Sequence, residues 1–278
     1  MTVAEHTLDQ LGIAPEDMFS CEGAGGYKIC PFPPMMKGDG TPYVDIVTKS
    51  IRLFGSWEAY ETELIAEILT SAPDKRGLFV DVGAQLGYYT MLAATLGTRC
   101  VSFEANKDVY ERLVAAAAVN GFDDRVNAQR AFVADQDAGV RKGAQVVTLD
   151  TVVGDRHVRV LKIDIEGLDP VAVAGAHRLF QDRRVDYAII EISPKFADRT
   201  PVSDYIAMAQ FIAQQGYTVY DIGICPNRAL RADAAALAEL WEIAPLDMTT
   251  AHLEAHLASL PQTNFAFERD DLKGRRDG

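Results

Sequence analysis

From residue 77 onward the apolar positions of the chain alternate between two periods. Leu78 to Val80 is a continuous apolar run closed by Asp81, Val82 and Gly83, and apolar-rich segments recur at Cys100 to Phe103, Val126 to Val133, Val158 to Ile165, Tyr187 to Ile192, Tyr217 to Ile222 and Asn264 to Glu268. The first predicts a strand covered on both faces, and the others predict the further strands of the same sheet. Between them apolar residues fall at helical spacing. Tyr88, Leu92 and Ala93 form one face, and Val109, Leu113 and Ala117 another, ended by Gly121. Asp169 and Pro170 read as N-cap and first position of a helix carrying Val171, Ala174, Leu179 and Phe180. Ser203 reads as the cap of a helix bearing Ile206, Phe211 and Ile212, closed at Gly216. Strands alternating with crossover helices run parallel, because each helix returns the chain to the same edge. The expected fold is α/β, a doubly wound, mostly parallel sheet of seven strands.

Two stretches depart from this rhythm. Glycines and prolines punctuate residues 1–42 too densely for a long element, and Tyr43 to Phe54 reads as one or two short strands. Ser56 then caps a helix with Trp57, Tyr60, Glu61, Leu64, Ile65, Ile68 and Leu69 on one face. Residues 223–262 separate the last two strands and hold an alanine-rich helix, Ala232 to Trp241, and a second helix, Thr250 to Leu260. A connection that long is functional or disordered, and its helical periodicity argues for order. The expected organisation is an N-terminal extension or lid, 1–56, and a domain over 57–278 with a helical insert at 223–262.

Charge narrows the partners. Lys and Arg number 27 against 40 Asp and Glu, a net −13, which repels phosphate backbones and anionic lipid headgroups. None of Cys21, Cys30, Cys100 and Cys225 forms a C-x-x-C pair, so neither a zinc site nor a disulfide framework is expected. Met1 to Gln10 has no apolar run, and no stretch reaches the roughly 20 apolar residues of a membrane span. The expectation is a cytoplasmic protein acting on a small molecule, alone or as a homodimer, without nucleic acid or membrane partners.

Three constellations carry chemistry. Asp81-Val82-Gly83-Ala84-Gln85-Leu86-Gly87 joins the first strand of the sheet to its helix. Gly83 allows a tight turn and close approach of a ligand, and the free N–H groups of the helix start are expected to face the crevice at the strand's carboxyl end. The further glycines of a pyrophosphate loop are missing, so a ligand without phosphate suits the turn better. Glu104 ends the second strand about 20 residues later, where a carboxylate accepts ribose hydroxyls in nucleotide-type folds. Leu161-Lys162-Ile163-Asp164-Ile165-Glu166-Gly167 closes the fourth strand, and period-two alternation puts Lys162, Asp164 and Glu166 on one side. These charges either stand at the mouth of the crevice or satisfy one another through a Lys162–Asp164 or Lys162–Glu166 pair.

The string from Phe79 through Tyr88, the strand end Phe103-Glu104-Ala105-Asn106, and Leu161-Lys162-Ile163-Asp164-Ile165-Glu166-Gly167 resemble the FkbM family of methyltransferases, from about Trp57-Glu58 to Glu191. The resemblance implies a Rossmann-like class I methyltransferase sheet, S-adenosyl-L-methionine as cofactor, and O-methylation of a small metabolite, polyketide-like or sugar-containing. Carried over position by position, Asp81, Gly83, Ala84 and Gly87 line the methionine part, with Gln85 and Tyr88 alongside. Glu104 holds the ribose with Asn106 nearby, Ala131, Phe132 and Asp135 border the adenine, and Asp164 adjoins the donor. Gln85, Leu86 and Ala105 depart mildly from residues common in the family.

A hydroxyl acceptor benefits from a general base. Asp164 and Glu166 lead as candidates, followed by Glu191; His177 and His157 rank lower. Asp164 with Glu191 also suits a divalent ion, but without a third ligand no metal is assigned. Walls for the acceptor are expected from Tyr27 to Met36, notably Phe32, Met35 and Met36, and from the insert with Trp241. Two alternatives stay open: a non-catalytic donor-binding regulatory or scaffold module, and a nicotinamide-dependent oxidoreductase, against which the missing phosphate-binding glycines and Tyr-x-x-x-Lys pair count.

Overall fold

The computed structural model describes residues 8–275 apart from 15, 17, 22–25, 33–34, 37, 39, 72–76 and 224–235. The N-terminal part holds short strands β1 (Phe19–Cys21), β2 (Tyr27–Ile29), β3 (Met35–Met36) and β4 (Pro42–Tyr43), then helices α1 (Ile46–Phe54) and α2 (Ala59–Ser71). The first half of the domain follows as β5 (Leu78–Val82), α3 (Tyr88–Thr95), β6 (Arg99–Phe103), α4 (Lys107–Val119), β7 (Val126–Gln129) and β8 (Ala131–Val133). Next come β9 (Val140–Arg141), β10 (Ala144–Val147), α5 (Leu149–Val153), β11 (Val158–Ile163), α6 (Asp169–Ala174) and α7 (His177–Gln181). The remainder is β12 (Val185–Ile192), α8 (Val202–Gln214), β13 (Tyr217–Asp221), α9 (Ala236–Glu242), α10 (Thr250–Ala258) and β14 (Thr263–Arg269).

Seven strands form one sheet in the order β13-β14-β12-β11-β5-β6-β7. Neighbours from β7 to β12 pair in parallel, while β14 lies antiparallel between β12 and β13. The sheet is doubly wound. Val80, Val82, Leu161, Ile163, Ala188 and Ile190 pack on one face against α6, α7, α8 and α10. Phe79, Cys100, Val160 and Ile189 pack on the other against α2, α3 and α4. Helices on both faces explain why central strands such as Leu78–Val82 are apolar on both sides.

Several local expectations are corrected. Ile46–Phe54 is a helix and not a strand: Asp45 accepts the Thr48 N–H as its N-cap, Val47 and Ile51 are buried one turn apart, and Gly55 ends it in the left-handed region. Ser56 caps nothing; α2 starts only after Glu58, whose φ of 42° breaks the helical path. The expected strand 126–133 is two strands. It breaks at Arg130, and β8 leaves the sheet to pair in parallel with the unforeseen β10. The fourth strand ends at Ile163, two residues early. Asp169 lies inside α6, with its carboxylate turned back on the Ile165 and Gly167 N–H groups. Ser203 sits one residue inside α8, after Pro201. Of the insert, the start of the expected Ala232 helix lies outside the described residues, and α9 runs over Ala236–Glu242.

Candidate active site

The turn after β5 is held by its neighbours. Gly83 has a φ of 83°, and a Cβ there would stand 2.0 Å from the Asp164 carbonyl oxygen. The tight turn takes the left-handed φ that glycine allows, and the chain just beyond β11 presses on it as well. The N–H groups of the turn itself are bonded within the fold. Gly83 and Ala84 both donate to Phe103 O at 3.0 Å, Gly87 donates to Ala84 O, and Gln85 N donates to Glu104 Oε2 at 3.2 Å. Strand β6 runs beside β5, and its end supplies Phe103 O and, one residue on, the Glu104 carboxylate. Glu104 Oε1 also accepts the Asn106 N–H at 2.8 Å, and Asn106 is itself the N-cap of α4, accepting from Asp108 N. Glu104 is thus a fixed carboxylate whose pKa burial raises, against the pull of the Asn106 and Gln85 N–H groups.

A cavity of about 670 Å³ opens at the carboxyl ends of β5, β6 and β11. Phe103, Ala105, Val109, Ala131, Phe132 and Val133 give it an apolar part beside Glu104. Glu58, Asp81, Tyr89, Lys162, Asp164 and Glu191 give it an acidic part, and Ile46, Val47, Trp57, Lys195 and Gln262 add to the wall. Volume and mixture suit a small-molecule site.

The acidic part is charge-frustrated. Lys162 Nζ lies 3.1 Å from both Glu61 Oε1 and Asp164 Oδ2 and 4.9 Å from the Tyr89 ring centre. Burial alone would lower its pKa, but Asp164, Glu61, Glu58 and Asp81 hold the ammonium well above its ordinary value. The carboxyls move up. Burial lifts Asp81 to about 6 although Thr90 Oγ1 donates to it at 2.6 Å. Burial and the neighbouring Glu61 charge push Glu58 up to about 8. Burial and Asp164 push Glu191 to about 8, with Gln262 Nε2 donating to Glu191 Oε1. Burial likewise raises Glu61, which accepts from Asn264 Nδ2 at 2.9 Å.

Among the expected site residues, Asp81, Gly83, Ala84, Gln85, Tyr88, Glu104, Asn106, Phe132, Asp164, Glu166 and Glu191 all line the cavity. Gly87 and Asp135 do not: the missing side chain of Gly87 makes room for Leu113 of α4, and Asp135 is exposed beyond β8. Glu166 reaches the lining as an exposed residue at φ 49°, because alternation stops where β11 ends. Lys162 pairs with Asp164, as one reading of the motif had it, and also with Glu61. Sequence reasoning passed over Glu58, Glu61 and Tyr89 as site residues. The signal was present for Glu61, a carboxylate within the apolar stripe of its helix.

Among the low-ranked histidines, His177 stacks on Phe211 and His157 bonds Asp186, both away from the cavity lining. No group of three or more His, Cys, Asp or Glu among the described residues is arranged to hold a metal ion. Tyr27 is buried edge-on against Tyr88, Phe32 lies against Arg112, and Trp241 donates to Glu268; none of the three lines the cavity. The side chains of Met35 and Met36 lie outside the described residues. No described helix is long and apolar enough to cross a membrane.

The chain belongs to the methyltransferase FkbM domain family, whose match spans residues 81–219, half of the sequence. Among solved structures it is similar to the methyltransferase FkbM from Methylobacillus flagellatus KT at 17% identity, covering 69% of this chain and 43% of that one, with a TM-score of 0.47. The METTL16 methyltransferase domain is 10% identical over 85% of this chain and 86% of its own, with a TM-score of 0.46. The bifunctional kinase-methyltransferase WbdD is 12% identical over 76% of this chain and 38% of its own, at 0.43. This chain thus spans well under two thirds of the Methylobacillus protein. No curated protein matches the sequence.

Proposed function

We propose that the chain is an S-adenosyl-L-methionine-dependent O-methyltransferase that methylates a hydroxyl of a small metabolite, polyketide-like or sugar-containing. The observation that carries this reading is the charge balance of the cavity. Glu58, Glu61, Asp81 and Asp164 cluster around Lys162, Glu191 stands beside Asp164 with Lys195 at the wall, and burial raises the pKa of four of these five acids. A ligand bearing a sulfonium and an ammonium supplies the missing positive charge, whereas a dinucleotide brings phosphates into repulsion with it. The internally bonded N–H groups of the Gly83 turn also leave little for a pyrophosphate.

The residues divide the work. Glu104, fixed by the Asn106 and Gln85 N–H groups, has acceptor capacity left for two ribose hydroxyls. Phe132 and its apolar neighbours suit a purine face, and Asp81 and Asp164 suit the cationic portion. When bound, the donor supplies an electrophilic methyl carbon and its own leaving group. The chain's remaining tasks are to align the acceptor, exclude water and take its proton on a carboxylate of the acidic part.

Titration calorimetry tests the reading. S-adenosylhomocysteine should bind and NAD should not, and Glu104→Ala should weaken binding by about 1–3 kcal/mol, the cost of orphaning hydroxyls that face a charged acceptor. Tight NAD binding with no response to S-adenosylhomocysteine would overturn it.

A further inference from the structure

Glu58 lies outside the span of the family match and outside the sheet, in the turn between α1 and α2. It lines the cavity, is 9% exposed, and holds a left-handed φ of 42° that a residue with a Cβ rarely adopts. Such strain persists only where surrounding structure imposes it, and it concentrates at functional sites. The backbone here is fixed on both sides: Trp57 O accepts from Thr62 Oγ1 at 2.6 Å, and Glu58 O accepts from Thr62 N at 2.9 Å. The side chain is fixed as well, because Tyr89 Oη donates to Glu58 Oε2 at 2.7 Å. A carboxylate has acceptor positions beyond the one Tyr89 fills.

Of the other cavity carboxylates, Asp164 pairs with Lys162, Asp81 accepts from Thr90, Glu104 is held by the Gln85 and Asn106 N–H groups, and Glu166 is exposed. Glu191 accepts from Gln262 at Oε1 and leaves Oε2 without a partner among the described residues, but Glu58 is the one aimed by a tyrosine hydroxyl from a strained turn. Resting on the methyl-transfer reading above, we infer that Glu58 is the general base of the reaction and Tyr89 its positioning residue. The acceptor oxygen forms a bond to the methyl carbon, the carbon–sulfur bond breaks with its electron pair going to sulfur, and the hydroxyl proton passes to the Glu58 carboxylate. A base poised near working pH is the most effective. The groups that set Glu58 there, besides burial, are Glu61 of α2, Lys162 of β11, Asp164 beyond it and Tyr89 of α3.

The test compares the full chain with Glu58→Gln and Tyr89→Phe. It uses methyl-labelled donor with a pool of hydroxylated metabolites, calorimetry with S-adenosylhomocysteine, and carboxyl-band infrared titration. Glu58→Gln should bind S-adenosylhomocysteine within about threefold of the native protein, lose a carboxyl band titrating near pH 8, and transfer methyl about 10²–10⁴-fold more slowly. Tyr89→Phe removes a hydrogen bond that favours the ionised form, so the pH midpoint of transfer should move up. Native-like transfer by Glu58→Gln overturns the assignment while leaving the methyltransferase reading intact. Loss of S-adenosylhomocysteine binding in a folded Glu58→Gln, or an unmoved midpoint in Tyr89→Phe, also overturns it. A native protein that binds S-adenosylhomocysteine but labels no hydroxyl overturns the hydroxyl reading, and this assignment with it.

Discussion

Two buried acid clusters occupy opposite ends of the same strands, and they are built in opposite ways. At the amino ends Asp186 of β12 meets Arg159 at 2.8 Å, Arg269 at 2.8 Å and His157 at 2.9 Å. Burial works against ionisation there, but the hydrogen bonds and charges of His157, Arg159 and Arg269 hold the carboxyl below its ordinary value. At the carboxyl ends Glu58, Glu61 and Asp81 share Lys162 and are pushed up. One cluster is complete within the chain; the other lacks positive charge. A buried acid with a full set of partners serves the fold, while one left short marks where a ligand's charge belongs.

Removing Asp186 should have the largest effect. Asp186→Ala leaves Arg159 and Arg269 without their buried counter-charge and should destabilise the protein by about 3–5 kcal/mol in denaturant unfolding. A loss under about 1 kcal/mol would erase the contrast between the two ends.

The pH dependence comes next, and its sign separates the clusters. A carboxyl raised in the folded state costs nothing below its unfolded value, 4.5 for Glu, and the cost grows until the pH passes the folded value, about 8 for Glu58 and Glu191. The ligand-free protein should therefore lose stability steadily between pH 5 and 8. Glu191→Gln should flatten that slope, and so should saturating S-adenosylhomocysteine. Asp186 contributes the other way: its stabilisation is present above 3.8 and is lost as pH falls through its lower folded value, so it adds no slope in this window. An unchanged slope in Glu191→Gln would remove that residue from the frustrated set.

The smallest effect should come from His157→Ala. Its side chain is 44% exposed, and two arginines still face Asp186, so the loss should stay below about 1 kcal/mol by thermal unfolding. A larger loss would mean that the amino-end cluster needs all three partners.

The sheet was legible because its central strands are covered on both faces and are rich in apolar residues. The failures have local causes. Ile46, Val47, Thr48 and Ile51 are β-branched and read as strand, yet an Asp45 cap and one-turn burial make them helix. The run from Val126 to Val133 hides a change of partner at Arg130, which depends on where β10 lies and leaves no local trace. Gly83 was recognised as necessary for a tight turn, but the carbonyl that also presses on it lies 81 residues away in sequence. Glu104 and Asp164 announced themselves at strand ends; Glu58 and Tyr89 did not, since a polar residue near a helix start ordinarily faces water. Only the packing of α2 and α3 on the sheet turns them toward the cavity.

The antiparallel position of β14 has a consequence for the order in which the chain assembles. Strands β12 and β13 are consecutive in the sheet by sequence but never touch, since β14 is seated between them. A nascent chain emerging from the ribosome can dock β5, β6, β7, β11 and β12 early, yet β13 has no neighbour until residues 263–269 arrive. The same late segment brings Gln262 to Glu191 and Asn264 to Glu61, the contacts that fix two carboxyls of the acidic cluster. Two carboxyls of the acidic cluster are thus fixed only once the strand that completes the edge of the sheet is in place.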